Sequence, residues 1–327
     1  MTNKKAIVFG GAGFIGSHLL KRLARDKRYD GLCSVDIAEP RFIVEGVEYL
    51  NHDIRESIPA NLGGSADFDI FNFAAVHITP GYEDWEYYWT NVHGATNVCR
   101  FANDVGAQSI FFTSTMMVYG PTEAPKDEDA VLEPVNAYGR SKILAEGVHR
   151  LWQSEQPETR RLTIVRPGVI YGLAERGNFT RLAQALKARR FVYPGRSDTI
   201  KACGYIEDLV SSMLFMQERN ESVFLYNFCH PERYTSADIC AAFSKVAGYH
   251  SPPFVIPFWL LGMVAFGFEV LSAFGLKTAI NRARVRKLYL STNMVPKRLP
   301  EAGFNCLYDL QAGLTDWKKV SRLRDFD

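Results

Sequence analysis

Tyr138 and Lys142 stand four residues apart in the run Tyr138-Gly139-Arg140-Ser141-Lys142. On a helix this spacing puts a phenol and an ammonium on one face. An ammonium beside a phenol lowers its pKa towards neutrality, which suits a catalytic base, and the same Lys can reach a ribose. The spacing also arises by chance, so its weight comes from its surroundings. Upstream lies Thr113-Ser114-Thr115-Met116-Met117-Val118-Tyr119-Gly120, at the end of the strand-like run 109–114. In open parallel sheets, ligands sit at such strand ends.

A second constellation lies near the N-terminus, in Gly10-Gly11-Ala12-Gly13-Phe14-Ile15-Gly16. Gly10 permits a tight turn, Gly13 lets backbone approach a diphosphate, and Gly16 lets a helix pack close to the strand. The helix opening at Phe14 and Ile15 offers its first N–H groups to phosphate. The turn follows an apolar run and is trailed by Asp36, some twenty residues past Gly16. A carboxylate there accepts from ribose hydroxyls and repels a 2′-phosphate, so the expected cofactor is NAD rather than NADP, with Arg41 the one dissenting residue nearby. Asp53-Ile54 can hold the adenine, although such a pair is unspecific by itself.

These groups need a scaffold. Short apolar runs at 6–10, 32–36, 69–73, 109–114 and 162–166 alternate with amphipathic stretches at 14–25, 85–105 and 136–153. Strand then helix, repeated, implies an α/β protein with a doubly wound parallel sheet, a Rossmann fold, covered on both faces. After Arg166-Pro167 the loops lengthen. We therefore expect residues 1–166, with about 202–228, to form the dinucleotide-binding domain. Residues 167–201 and 229–327 are expected to form a smaller α/β substrate lobe. The chain has 327 residues, 47% hydrophobic and 23% charged, which excludes a disordered chain or a disulfide scaffold. A net charge of +2 argues against a nucleic-acid partner. The cysteines, Cys33, Cys99, Cys203, Cys229, Cys240 and Cys306, show no zinc-ligand spacing and suit reduced thiols in the cytoplasm. No metal is expected.

Together these residues resemble the extended short-chain dehydrogenase/reductases, the NAD-dependent sugar epimerases and dehydratases. The resemblance runs over essentially the whole chain. It rests on the glycine turn, Asp36, Asp53-Ile54, Asn72-Phe73-Ala74-Ala75, Asn91, the Ser-Thr-x-x-Val-Tyr-Gly run, Tyr138 with Lys142, and Arg166-Pro167 followed by Tyr171-Gly172. It implies that Tyr138 is the base, Lys142 its partner and Thr115 the hydroxyl that holds the reacting oxygen. It further implies cofactor contacts from Ala74, Ala75, Asn91 and Pro167, and a homodimer through the helices holding 85–105 and 136–153.

Departures from the family pattern narrow the chemistry. Dehydratases of this family carry Asp-Glu just after the catalytic Thr; here Met116 and Met117 cannot exchange protons. Many members bind a nucleotide diphosphate through an Arg seven residues before the Asp of Tyr205-Ile206-Glu207-Asp208, and here that position is Lys201. A Lys pairs with phosphate as a point charge, without the bidentate fork. His77 and Asn178 are further candidates to line the substrate.

The expected function is thus NAD-dependent C4 epimerisation of a diphosphate-linked sugar, an N-acetylhexosamine, in surface polysaccharide synthesis. The rival is a 4-keto-sugar or 3β-hydroxysteroid oxidoreductase. An apolar arm at 253–276 bears on the carrier. In residues 258–276, Gly262, Ala265, Glu269, Ser272 and Ala273 share one narrow helical face. Trp259, Met263, Phe266, Phe268, Val270, Leu271 and Phe274 cover the rest, and Lys277, Arg282, Arg284, Arg286 and Lys287 follow. Glu269 makes this a poor spanning helix. An apolar face beside cations suits either a peripheral membrane contact through 258–287 or internal packing. The arm, the cationic run and Gly303-Phe304 resemble two branches of the family: epimerases acting on N-acetylglucosamine diphosphate-undecaprenol, and 3β-hydroxysteroid dehydrogenase-like proteins. Arg176-Gly177-Asn178 and residues 162–166 favour the first branch, and the expected place is the cytoplasm, at the inner face of the membrane if the arm meets lipid.

Overall fold

The computed structural model describes residues 4–79, 81–219, 221–252, 254–257, 259–260, 263, 289–322 and 325–327. Most of the expected arm, and all the cations from Lys277 to Lys287, lie outside them.

Seven parallel strands form the central sheet: β1 (Lys4–Phe9), β2 (Gly31–Asp36), β3 (Val47–Asn51), β4 (Asp67–Asn72), β5 (Ser109–Thr113), β6 (Arg161–Pro167) and β7 (Val223–Phe228). Their order across the sheet is β7-β6-β5-β4-β1-β2-β3. The five strand-like runs of the sequence fall on β1, β2, β4, β5 and β6, shifted by one or two residues. The edge strands β3 and β7 are not among them.

Burial on both faces explains the continuous apolar runs. Ala6, Ile7, Val8 and Phe9 of β1 are all fully buried, and alternate between two cores. Ala6 and Val8 pack with Leu19, Leu20 and Leu23 of α1 (Phe14–Asp26) and with Leu209 and Met213 of α6 (Ile206–Gln217). Ile7 and Phe9 pack with Val98 and Phe101 of α3 (Gly94–Asp104) and with Ala145 and Trp152 of α4 (Ala137–Ser154). The helix expected over 85–105 begins at α2 (Asp84–Tyr88), passes through one π turn at Trp89–His93, and continues as α3.

Beyond the sheet, α5 (Asn178–Lys187), α7 (Ser236–Ala247) and α8 (Leu310–Val320) accompany three two-stranded pairings. One of these joins Val255–Ile256, at the root of the arm, to Tyr193–Pro194. Another joins Thr122–Lys126 to Thr292–Met294. Among the described residues no helix is long and apolar enough to cross a membrane.

Candidate active site

The strand order reverses between β1 and β4, and in open parallel sheets ligands sit at the carboxyl ends of the strands beside such a reversal. Gly10 leaves β1 at φ +79°, a conformation suited to glycine. A Cβ on it would lie 2.5 Å from the amide nitrogen of Ala74, so the turn touches the end of β4 directly. Gly13 is the residue before α1, and no side chain caps that helix. Its first turn, Phe14, Ile15 and the buried Gly16, carries no acidic residue, so the N-terminal N–H groups keep an unopposed dipole. Asp36 ends β2 and ties the arrangement together. Its Oδ2 accepts from the Ala12 amide at 3.0 Å and its Oδ1 from the Ala38 amide at 3.0 Å. Each oxygen keeps a second lone pair for a ribose hydroxyl. Turn, uncapped helix and carboxylate fit a dinucleotide.

Farther along, Asp53 is gripped by Arg55, whose Nη2 lies 2.6 Å from Oδ2, and this partner holds the carboxyl below its usual range. Ile54 is buried, and its carbonyl accepts from Asn97 at 2.8 Å. Asn91 spends its amide on bracing. Its Oδ1 accepts from the Val76 amide at 2.9 Å, and its Nδ2 donates to the Val76 carbonyl and to Ser141 Oγ. It thereby fixes the loop carrying Ala74, Ala75 and His77 against α4. Pro167 closes β6, and the next amide, Gly168, donates to the Phe228 carbonyl.

Three elements converge on the reacting groups. Thr115 follows β5 in extended conformation and heads a short 3₁₀ turn, its Oγ1 accepting from the Met117 amide at 3.2 Å. Tyr138 lies in the first turn of α4, started by Asn136, whose Oδ1 accepts from the Gly139 amide at 2.8 Å. The Thr115 hydroxyl acts on the Tyr138 phenol, drawing its pKa down, and the Tyr87 ring of α2 packs 6.2 Å from that of Tyr138. One turn further on, Lys142 is only 2% exposed, its ammonium 4.3 Å from the centre of the Phe112 ring.

The electrostatics correct one expectation from the sequence. Burial pushes the Tyr138 phenol up to about 12, the Thr115 hydrogen bond pulling the other way. Burial pulls Lys142 down to about 7, opposed by Glu146. In the protein without ligands, desolvation of both side chains outweighs any help from Lys to Tyr. Burial, and the Lys142 and Arg41 cations, likewise hold His77 below its ordinary value. This places His77 within the field of the Tyr–Lys pair.

Asn178 and Lys201 lie on other elements. Asn178 is exposed at the start of α5, beside Glu175, whose Oε2 accepts from the Gly177 and Thr180 amides. Lys201 donates from Nζ to the Leu290 carbonyl at 2.8 Å. The sequence reading missed Glu146, Tyr87 and Phe112. Glu146 alone left a trace, four residues past Lys142 on the same helix.

Comparison with known proteins gives the family. The model of the NAD dependent epimerase/dehydratase family matches residues 6–228. The chain is 28% identical over 315 residues to the N-acetyl-alpha-D-glucosaminyl-diphospho-ditrans,octacis-undecaprenol 4-epimerase of Escherichia coli O157:H7, covering 95% of this chain and 93% of that protein. It is 32% identical over 154 residues to the UDP-glucose 4-epimerase of Rhizobium meliloti, covering 45% and 46%. The UDP-glucuronic acid 4-epimerase of Bacillus cereus, solved with UDP-glucuronic acid and NAD, superposes with a TM-score of 0.72 at 17% identity, covering 94% of this chain and 96% of that one. The glycine turn, the acidic residue ending β2 and the seven-stranded parallel sheet accord with an NAD-dependent enzyme, and the chain belongs to the NAD-dependent epimerase/dehydratase family.

Proposed function

We propose that the protein is a C4 epimerase of a diphosphate-linked N-acetylhexosamine, acting in surface polysaccharide synthesis at the cytoplasmic face of a membrane. The observation that carries the reading is the convergence of Thr115, at the end of β5, with Tyr138 in the first turn of α4 and the buried Lys142 one turn away. Tyr138 takes the proton from O4 and later returns it. Thr115 donates to O4 and keeps it beside the phenol. Lys142 binds the nicotinamide-side ribose. NAD held by the glycine turn and Asp36 would supply the redox chemistry, reversible hydride transfer at C4. Met116 and Met117 offer no proton to expel water, which sets dehydration aside. The glycine turn, Asp36, Asp53, Ile54, Ala74, Ala75, Asn91 and Pro167 are the proposed cofactor site. His77, Asn178 and Lys201 are proposed to line the sugar and its diphosphate, on a substrate side formed by 167–201 and 229–327.

The deciding experiment incubates the enzyme with UDP- and undecaprenyl diphosphate-linked N-acetylglucosamine and follows product stereochemistry and NADH together. An epimerase returns its hydride, so sugar inverts with no net NADH. NADH accumulating with product supports the oxidoreductase alternative. Asp36→Ala is expected to weaken NAD binding and relax the preference over NADP, and calorimetry checks it. A wild-type protein preferring NADP overturns the role given to Asp36.

The near full-length likeness to an epimerase named for an undecaprenol-linked sugar supports a lipid carrier, and so does the arm. Phe254, Val255, Trp259, Leu260 and Met263 are all exposed. Each cation of 277–287 adds about 1 kcal/mol near an anionic surface, less in salt. We expect salt-sensitive co-sedimentation with anionic vesicles. The triple variant Trp259→Ser, Leu260→Ser, Met263→Ser should bind them weakly and lose activity on the lipid-linked sugar with little loss of stability. No vesicle binding, with efficient turnover of the UDP-sugar, returns the arm to internal packing. Trp85, Trp89, Leu144 and Leu151 leave α2, the π turn and α4 with an exposed apolar face, which supports a homodimer. Sedimentation at the 36.9 kDa mass of one chain would refute it.

A further inference from the structure

Behind Thr115, Tyr138 and Lys142 lies a buried ion pair to which the mechanism above gives no role. Glu146 sits on α4 one turn beyond Lys142, Arg166 lies in β6, and each is 4% exposed. The guanidinium grips both carboxylate oxygens, Nε to Oε1 at 2.9 Å and Nη2 to Oε2 at 2.7 Å. Oε1 also accepts from Ser114 Oγ at 2.5 Å, and Ser114 immediately precedes Thr115. Arg166 Nη1 donates to Tyr119 OH at 2.8 Å, on the far side of the Met116–Val118 turn.

Burying two charges is expensive, and an apolar pair of similar volume is often no less stable. Stability alone therefore gives weak reason for this pair, whereas its position gives a strong one. The groups that interact with Lys142 are Glu146 and His149 on α4, His77 on the loop after β4 and the Phe112 ring of β5, with Arg166 of β6 behind Glu146 and Tyr138 one turn earlier on α4. Burial holds His149 and His77 below the ordinary imidazole range and keeps Tyr138 protonated, so these three are neutral near pH 7. Glu146 is the anion that acts on Lys142, against the pull of burial.

We propose that Glu146 is a positioning residue: clamped by Arg166, it fixes the strand end that carries Thr115 and keeps the ammonium of Lys142 charged. The proposal rests on the reading of Thr115, Tyr138 and Lys142 as catalytic. Its test is calorimetric titration of the cofactor-stripped protein with NAD, from about pH 6 to 9.5. In the wild type, affinity should fall as pH rises through about 7, where Lys142 loses its charge. Lys142→Met should remove that limb. Glu146→Gln should move it down by about one pH unit, and Glu146→Asp should largely restore it. With the sugar substrate, Glu146→Gln should lower kcat about tenfold with KM nearly unchanged. The double variant Glu146→Met, Arg166→Met leaves no unpaired charge to unfold the protein, and it should shift the limb as Glu146→Gln does. An unmoved limb in both variants overturns the proposal. So does a uniform loss of affinity at every pH, matched by a fall in Tm, because that is a purely structural role. A limb that survives Lys142→Met overturns the reading of Lys142, and the proposal with it.

Discussion

Tyr138→Phe is expected to lower kcat by about 10²–10⁴, the range for losing a positioned general acid–base. The substitution keeps the ring, its packing against Tyr87 and the helix start at Asn136, and deletes only the phenolic hydroxyl. NAD affinity and Tm should move little. The phenol lies at about 12 in the ligand-free protein, so it is protonated across the physiological range. Catalysis near neutral pH requires the phenol to lose its proton more readily when cofactor and substrate surround it. The pH dependence of kcat should therefore show a lower apparent pKa than titration of Tyr138 in the stripped protein. The check is kcat and KM for both proteins on the lipid-linked sugar, with phenolate absorbance of the stripped enzyme. Normal turnover by Tyr138→Phe would remove Tyr138 from the chemistry.

The strands that the sequence shows plainly are those buried on both faces. Ala6–Phe9 and Ile110–Phe112 are apolar without interruption, because helices cover them from both sides. β3 reads Val-Glu-Tyr-Leu-Asn, with no fully buried position. It is an edge strand, and its pattern resembles that of a loop. The glycine turn and Asp36 were legible because a diphosphate and a ribose demand those types at that spacing. The phenol's environment was not. Tyr138 sees Thr115 and Tyr87 only through the fold, and the i,i+4 spacing to Lys142 says nothing about how much water either side chain retains. Glu146 is similar: its partners Ser114 and Arg166 come from the ends of two strands, so its four-residue offset from Lys142 looks like any exposed helical pair. Asn91 was legible as important, but the structure shows it bracing a loop.

Lys142→Met should abolish most turnover and yet stabilise the cofactor-free protein at low pH. In the unfolded chain the Lys keeps its proton to about pH 10.4. In the folded protein burial brings that value down to about 7, with Glu146 only partly opposing it. Between these values the unfolded state binds the extra proton, so wild-type stability rises with pH across the window. Below pH 7 the folded state carries the full penalty of a 2% exposed ammonium, on the order of a few kcal/mol. Met has similar length and no charge, so it removes that penalty and still covers the Phe112 ring. The variant should thus exceed the wild type in stability at pH 6, and the excess should shrink steadily towards pH 10. Urea unfolding of both stripped proteins at several pH values reads the difference, in which all other titrating groups largely cancel. A difference that does not change with pH would mean that Lys142 keeps an ordinary pKa in the folded state. If the predicted trend appears, the enzyme tolerates a destabilising ammonium in its core, and the loss of turnover in the same variant shows what that ammonium is kept for.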